Sequence, residues 1–274
     1  MRIATWNVNS VKARLPNVLE WLEAEKPDVV LLQEIKCETA AFPALEIEVL
    51  GYKVHALGQK TYNGVAILSR HKVEQLREHL PEAGSDVQSR YIEAVINGVR
   101  IASIYLPNGN PVYGERLRPA GAQSETDIKF GEKYDYKLAW MKRLHAHMKM
   151  LLEDELPVVL GGDYNVIPEA EDVHNPKGWE EDALFRPETR AMWRKLLALG
   201  YTEAFRALYP EKKGAYTFWD YQSAAWQRDA GLRIDHFLLS PEAADRLKGC
   251  SIDRTPRGKE KASDHTPVVL ELRD

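Results

Sequence analysis

Residues 91–106 read YIEAVINGVRIASIYL. Two runs rich in β-branched and apolar residues flank Asn97-Gly98, a dipeptide that accepts the two left-handed conformations of a tight turn, so the stretch predicts an antiparallel hairpin. Upstream, GVAILS (64–69) predicts another strand. Earlier still, Val11, Leu15, Val18, Leu19 and Leu22 recur at helical spacing, with Ser10 as the expected cap and Pro27 as the stop. The apolar run Val29–Leu32 then predicts a buried strand. Downstream, Leu138, Met141, Leu144, Met148, Leu151 and Leu152 mark a second long helix, followed directly by the strand Val158–Leu160. A third helix is expected to run to about Leu199 and close at Gly200. Later strands are expected in IDHFLLS (234–240) and TPVVLEL (266–272). Hairpins beside helix-then-strand crossovers require mixed sheets, and the helix-then-buried-strand order in both halves suits two sheets packed face to face. No linker rich in Gly, Ser or Pro interrupts the pattern, so residues 1–274 are read as a single α/β domain.

The 274 residues are 44% hydrophobic and 28% charged, which excludes disordered, collagenous and disulfide-scaffold classes. Apolar runs stay far below the roughly 20 residues of a membrane span. The opening Met-Arg-Ile-Ala-Thr-Trp lacks the apolar centre of a signal peptide, and Cys37 and Cys250 suit a reducing compartment, so a cytoplasmic protein is expected. With 37 basic and 41 acidic residues the net charge is −4, which gives no global case for a nucleic-acid binder. Locally, Arg246, Lys248, Arg254, Arg257, Lys259 and Lys261 face only Asp253 and Glu260. Such a run is usually a solvated loop.

The informative pattern is where the polar residues fall. Asn7 ends the Ile3–Trp6 run, Glu34 follows VVLLQ, Asp163 and Asn165 follow VVLGG, and Asp264 and His265 precede TPVVLEL. Strand ends in layered α/β folds converge on one rim, where ligands bind. Singly, each has an ordinary reading: Glu34 a solvated acid, Asp163 a turn residue, Asn7 a side chain bonding its own backbone. Together they form an oxygen-rich set without Cys/His spacing, which suits a hard cation such as Mg²⁺ or Mn²⁺ rather than zinc. His236, His145 and His147 are given no chemical role; the last two are expected on polar faces of the long helix.

TWNVNS (5–10), LLQEIK (31–36), YLPNG (105–109), GGDYN (161–165), GLRID (231–235) and SDHTP (263–267) appear in an order that resembles the exonuclease III-type AP endonucleases, a branch of the metal-dependent phosphoesterases with a pancreatic-DNase-like fold. The resemblance runs over nearly the whole chain and implies a four-layered sandwich, two mixed sheets flanked by helices. It implies Glu34 as the principal metal ligand with Asn7 and Asp264 near the same ion, Asp163 as the group that orients and deprotonates water, and Asn165 as the amide holding water and phosphate in line. Asp163 and Asn165 stay open to a second role as metal ligands. His265 resembles the imidazole on a non-bridging phosphate oxygen, Asp235 the acid that keeps it charged, and Tyr105 and Asn108 the phosphate-positioning pair. Phe218, Trp219, Leu232 and Ile234 match the stretch that lines the pocket for a flipped abasic sugar, though such residues ordinarily belong to a core. Leu232 in place of tryptophan points to the bacterial branch.

The implied activity is Mg²⁺-dependent incision 5′ to abasic sites in double-stranded DNA, with 3′–5′ exonuclease and 3′-end cleaning, by a monomer without membrane association. Lys36, Arg90, Arg228, the 108–133 stretch and the 254–261 segment are the expected DNA-facing surfaces, while Asp229, where an amide is frequent in the family, puts contact there in doubt. A phosphoesterase acting on inositol phosphates or RNA is the alternative. A non-catalytic nucleic-acid-binding protein ranks below both, because Asn7, Glu34, Asp163, Asn165, Asp235, Asp264 and His265 are all present.

Overall fold

The computed structural model describes residues 1–113 and 130–273. In chain order the strands are β1 (Arg2–Asn7), β2 (Val29–Gln33), β3 (Lys53–Leu57), β4 (Val65–Ser69), β5 (Val73–Glu78), β6 (Tyr91–Ile96), β7 (Val99–Tyr105), β8 (Val158–Asp163), β9 (Thr202–Glu203), β10 (Asp235–Leu239), β11 (Leu247–Ile252) and β12 (Val268–Leu272). They form two six-stranded sheets, ordered β11-β12-β1-β2-β4-β3 and β5-β6-β7-β8-β10-β9. Each sheet contains one parallel pair, β1 with β2 and β7 with β8, joined in both cases through a helix. The β6–β7 hairpin turns on Asn97 and Gly98, both at positive φ.

Period-two alternation builds the layers. Ile3, Val29, Leu31 and Ile67 of the first sheet meet Ile92, Ala94, Ile101, Val159 and Phe237 of the second in one apolar interlayer. Their even-numbered neighbours Ala4, Trp6, Val30 and Leu32 face outward onto Val18, Trp21 and Leu22 of the helix Leu15–Glu25. On the other side Ala102, Ile104 and Leu160 pack under Trp140, Met141, Leu144 and Met148 of the helix Glu132–Leu151 and Trp193 and Leu196 of the helix Pro187–Ala198. The result is the helix–sheet–sheet–helix sandwich. Each fully buried Leu, Ile or Val contributes about 1.5–3 kcal/mol of transfer free energy. At β8 a Cβ on Gly161 would lie 2.4 Å from the ring of its ladder partner Phe237 and 2.8 Å from Leu31 of the facing sheet, so glycine lets the two sheets approach there.

Two expectations need correction. Ser10 does not cap the helix itself: its hydroxyl accepts the Ala13 amide of the turn that precedes the helix, it has a positive φ, and the amides of Ser10 and Val11 donate to the carbonyls of Glu34 and Ile35. The backbone there is committed to the β2 exit, and the helix opens only at Leu15 with Pro16 in its first turn. His147 is not on a polar face. It is 4% exposed, with Nε2 2.8 Å from Glu93, a buried hairpin acid that also receives the Tyr91 hydroxyl and the guanidinium of Arg77. A lone buried carboxylate is costly, and these partners compensate it.

Candidate metal centre and active site

Because β1 runs parallel to β2 and β7 to β8, the carboxyl ends of all four strands can share one rim. Asn7 ends β1, Glu34 follows β2, Tyr105 ends β7 and Asp163 ends β8. Asn7 joins the two sheets there. Its Nδ2 donates to Glu34 Oε1 at 2.9 Å and to Asp163 Oδ2 at 2.9 Å, while its Oδ1 accepts the Asn9 amide at 3.0 Å. Only this amide orientation satisfies both carboxylates and the backbone donor, so the oxygen expected to serve a metal is turned to Asn9. Lys36 Nζ lies 2.8 Å from the other Glu34 oxygen and donates to Asn9 Oδ1 at 2.5 Å. Burial would raise the Glu34 carboxyl, but the Lys36 charge and the Asn7 bond hold it below the usual range.

Asp163 is 1% exposed, and burial pushes its pKa up to about 7 against the pull of the His265 cation. Asp235, the first residue of β10, pairs with Asp163 in the ladder and places Oδ2 2.8 Å from His265 Nδ1. Thr217 donates to the same oxygen at 2.6 Å and receives the amides of Ile234 and Asp235, which fixes the acid. Burial alone would push His265 down; the carboxylates of Asp235 and Asp163 outweigh it and raise its pKa to about 10. His265 therefore carries a proton on both nitrogens at neutral pH, with Nε2 3.7 Å from Asp163 Oδ2.

Tyr105 lies under the Arg90 guanidinium, 4.8 Å from its carbon to the ring centre. Burial and the charges of Glu34 and Asp163 lift its phenol well above the usual range, so it stays neutral and can donate. Asn165 accepts from Asn108 Nδ2 at 3.1 Å, donates to the Leu106 carbonyl at 2.9 Å, and sends its own amide to Asp163 Oδ1 at 2.9 Å.

Glu34, Asp163 and His265 offer atoms that all lie within 4.8 Å of one another. With His265 Nδ1 given to Asp235, the oxygen donors of this group are the two carboxylates, a set that fits a hard divalent cation. The Lys36 ammonium resting on Glu34 marks the same preference for positive charge. Asp264 sits one step aside, with Oδ1 accepting from Asn9 Nδ2 at 3.1 Å.

Not every expected residue reaches this rim. Phe218 does: half-buried, it meets the His265 ring edge-on at 4.9 Å, and Leu232 and Ile234 are buried in the apolar cluster behind it. Trp219 does not. It is fully buried in a separate cluster with Tyr216, Ala225 and Trp226, its indole N–H given to Asp229; successive residues point to opposite sides, so Phe218 and Trp219 cannot both line the pocket. The 254–261 segment is not a free basic surface either. Arg254 pairs with Asp229 and stacks on Trp219 and Trp226, Arg257 is buried against Trp226 and Tyr221, and Lys259 pairs with Glu20. Within the 108–133 stretch, residues 114–129 lie outside the described residues. Arg233 of GLRID is buried between Asp172 and Glu203, an ionic buttress that carries Leu232, Ile234 and Asp235. His236, also buried, donates from Nε2 to the Val166 carbonyl at 3.0 Å and packs on Trp193.

Three site residues were absent from the sequence reading: Asn9, Thr217 and Lys137. Lys137 had a signal. Tyr134, Lys137, Met141, Leu144 and Met148 recur at helical spacing, which puts the lysine on the buried stripe. Burial pushes its pKa down to about 7, against the charges of Asp182 and Asp163.

The pattern of the endonuclease/exonuclease/phosphatase family matches residues 4–265. Exodeoxyribonuclease III of Haemophilus influenzae is 31% identical over 283 residues, covering 100% of both chains. An AP endonuclease from Archaeoglobus fulgidus, 35% identical, superposes over 100% of both chains with a TM-score of 0.89. The 3′ phosphatase NExo from Neisseria, solved bound to a product DNA hairpin, is 36% identical and superposes over 100% of both chains with a TM-score of 0.90.

Proposed function

Since the chain belongs to the endonuclease/exonuclease/phosphatase family, we propose that it is a Mg²⁺-dependent DNA-repair hydrolase that incises 5′ to abasic sites in duplex DNA, leaves a 3′-hydroxyl and clears blocked 3′ ends. The observation that carries the reading is the row Glu34–Asn7–Asp163–His265–Asp235 at one rim, each member in contact with the next. The names of its relatives join exonuclease, abasic-site endonuclease and 3′-phosphatase chemistry on one scaffold.

Glu34, with Asp163 beside it, would hold the cation. A divalent ion there supplies charge to offset the phosphodiester and its departing oxygen, with Mn²⁺ able to replace Mg²⁺. Asp163, whose Oδ2 lies 3.7 Å from His265 Nε2, would take the proton of the attacking water. The Nε2–H of His265 and the phenol of Tyr105 donate to phosphate oxygens where charge builds up. Asn108 and Asn165 present amides to phosphate and water. Phe218, backed by the buried Leu232 and Ile234, forms the apolar wall that takes an extruded sugar and leaves no polar partner for a base. Arg90, over Tyr105, and Lys36, on Glu34, bring positive charge to the rim, so affinity for DNA is local and salt-sensitive. The chain works as one domain and needs no second copy to complete this set.

The test is a duplex bearing one abasic analogue and a second duplex ending in a 3′ phosphate. Incision and phosphate release are expected with Mg²⁺ and none with EDTA. Release of phosphate from inositol phosphates with both duplexes intact would replace this reading.

A further inference from the structure

Asn108 and Asn165 stand beyond the sheets, three residues after Tyr105 and two after Asp163, so the ladders do not fix them. They are joined twice. Their side chains bond directly at 3.1 Å, and their main-chain carbonyls both accept from Lys137 Nζ, at 3.0 Å from Asn108 and 2.6 Å from Asn165. Lys137 is wholly buried on the helix Glu132–Leu151, and both of these bonds go to the loops that carry the amides. Gly109, at a φ of +91°, lies against the lysine stem, where a Cβ would come 2.7 Å from Lys137 Cδ. The loop can follow the stem only because that residue is glycine.

An apolar side chain of the same length would pack on this stripe without desolvating a charge. What the amino group adds is a clamp on two carbonyls. Asn165 also sits at a positive φ of 47°, a conformation that a hydrogen bond on its carbonyl helps to hold. We propose that Lys137 is a positioning residue: by clamping the carbonyls of Asn108 and Asn165 it sets the spacing of the two amides that hold phosphate and water. The inference rests on the roles given to those asparagines above.

A double-mutant cycle of Lys137→Met with Asn165→Ala tests it, read as kcat and KM on the abasic-analogue duplex. A misplacement of about 1 Å can cost about 10²-fold, so Lys137→Met alone is expected to lower kcat about 10- to 100-fold with KM changed less than about 3-fold. In the Asn165→Ala background the same substitution is expected to cost less than about 3-fold, because the group it positions is gone. An equal loss in both backgrounds, or none in either, overturns the inference. If Asn165→Ala cleaves normally, the role of Asn165 fails instead, and the cycle against Asn108→Ala decides the role of Lys137 by the same criterion. Should Lys137→Met not fold by circular dichroism, Gly109→Ala, which displaces the lysine stem, takes its place in the cycle.

Discussion

Asp163→Asn is expected to lower cleavage of an abasic-analogue duplex by at least about 10³-fold, since it removes a general base and a carboxylate facing the cation together. The shape of the side chain survives, and its oxygen can still accept the Asn165 amide. Its new NH₂ group, however, faces Asn7 Nδ2, a donor that needs an acceptor. The fold should not suffer. The carboxyl has an ordinary pKa of 3.8 and one of about 7 in the fold, so its ionisation costs stability as pH rises from 3.8 through 7. Removing the charge removes that cost and offsets the lost Asn7 bond, so the variant's thermal midpoint at pH 8 is expected to stay near that of the parent. Near-normal turnover, or a large fall in the midpoint, would count against the assigned role.

The second large effect concerns Asp235. In the parent, His265 keeps its proton to about pH 10 because Asp235 and Asp163 overcome the effect of burial. Asp235→Asn takes away the larger of the two supports, so burial drives the imidazole down and neutral His265 appears within the working range. The parent's rate should show no descending limb from this group between pH 7 and 9; the variant should lose rate steeply as pH rises through neutrality, with about 10²- to 10³-fold missing at pH 8. Stability follows the same sign. The raised pKa of His265 stabilises the fold fully below 6.5 and ever less as pH rises towards 10, and this slope disappears in the variant. Equal pH–rate profiles for the two proteins would show that the charge on His265 does not matter.

Local pattern made much of this molecule readable. The hairpin 91–106 declared itself because its turn demands two left-handed residues and its strands are buried on both faces. Val29–Leu32 and Val158–Leu160 stood out for a related reason: strands covered on both sides are apolar without alternation. The rim residues were legible because each follows or precedes such a run. What escaped depends on contacts distant in sequence. Asn9 matters because Lys36 and Asp264 approach it, Thr217 because its hydroxyl reaches Asp235 across a loop. Arg254 and Arg257 looked like free charges because nothing nearby in the chain announces the tryptophan rings they cover. His147 and Lys137 are different. Both sit at helical spacing among buried apolar residues, and their polarity masked a signal that periodicity already carried.

The proposed chemistry needs a divalent cation seated between segments that lie far apart in the chain. Crystals soaked in Mn²⁺, with the anomalous signal of manganese measured, address it directly. A peak bonded to the Glu34 carboxylate on the side facing Asp163, lost in a Glu34→Gln crystal, is the predicted result. Manganese bound away from Glu34, in a protein that still cuts the abasic duplex in EDTA, would contradict it.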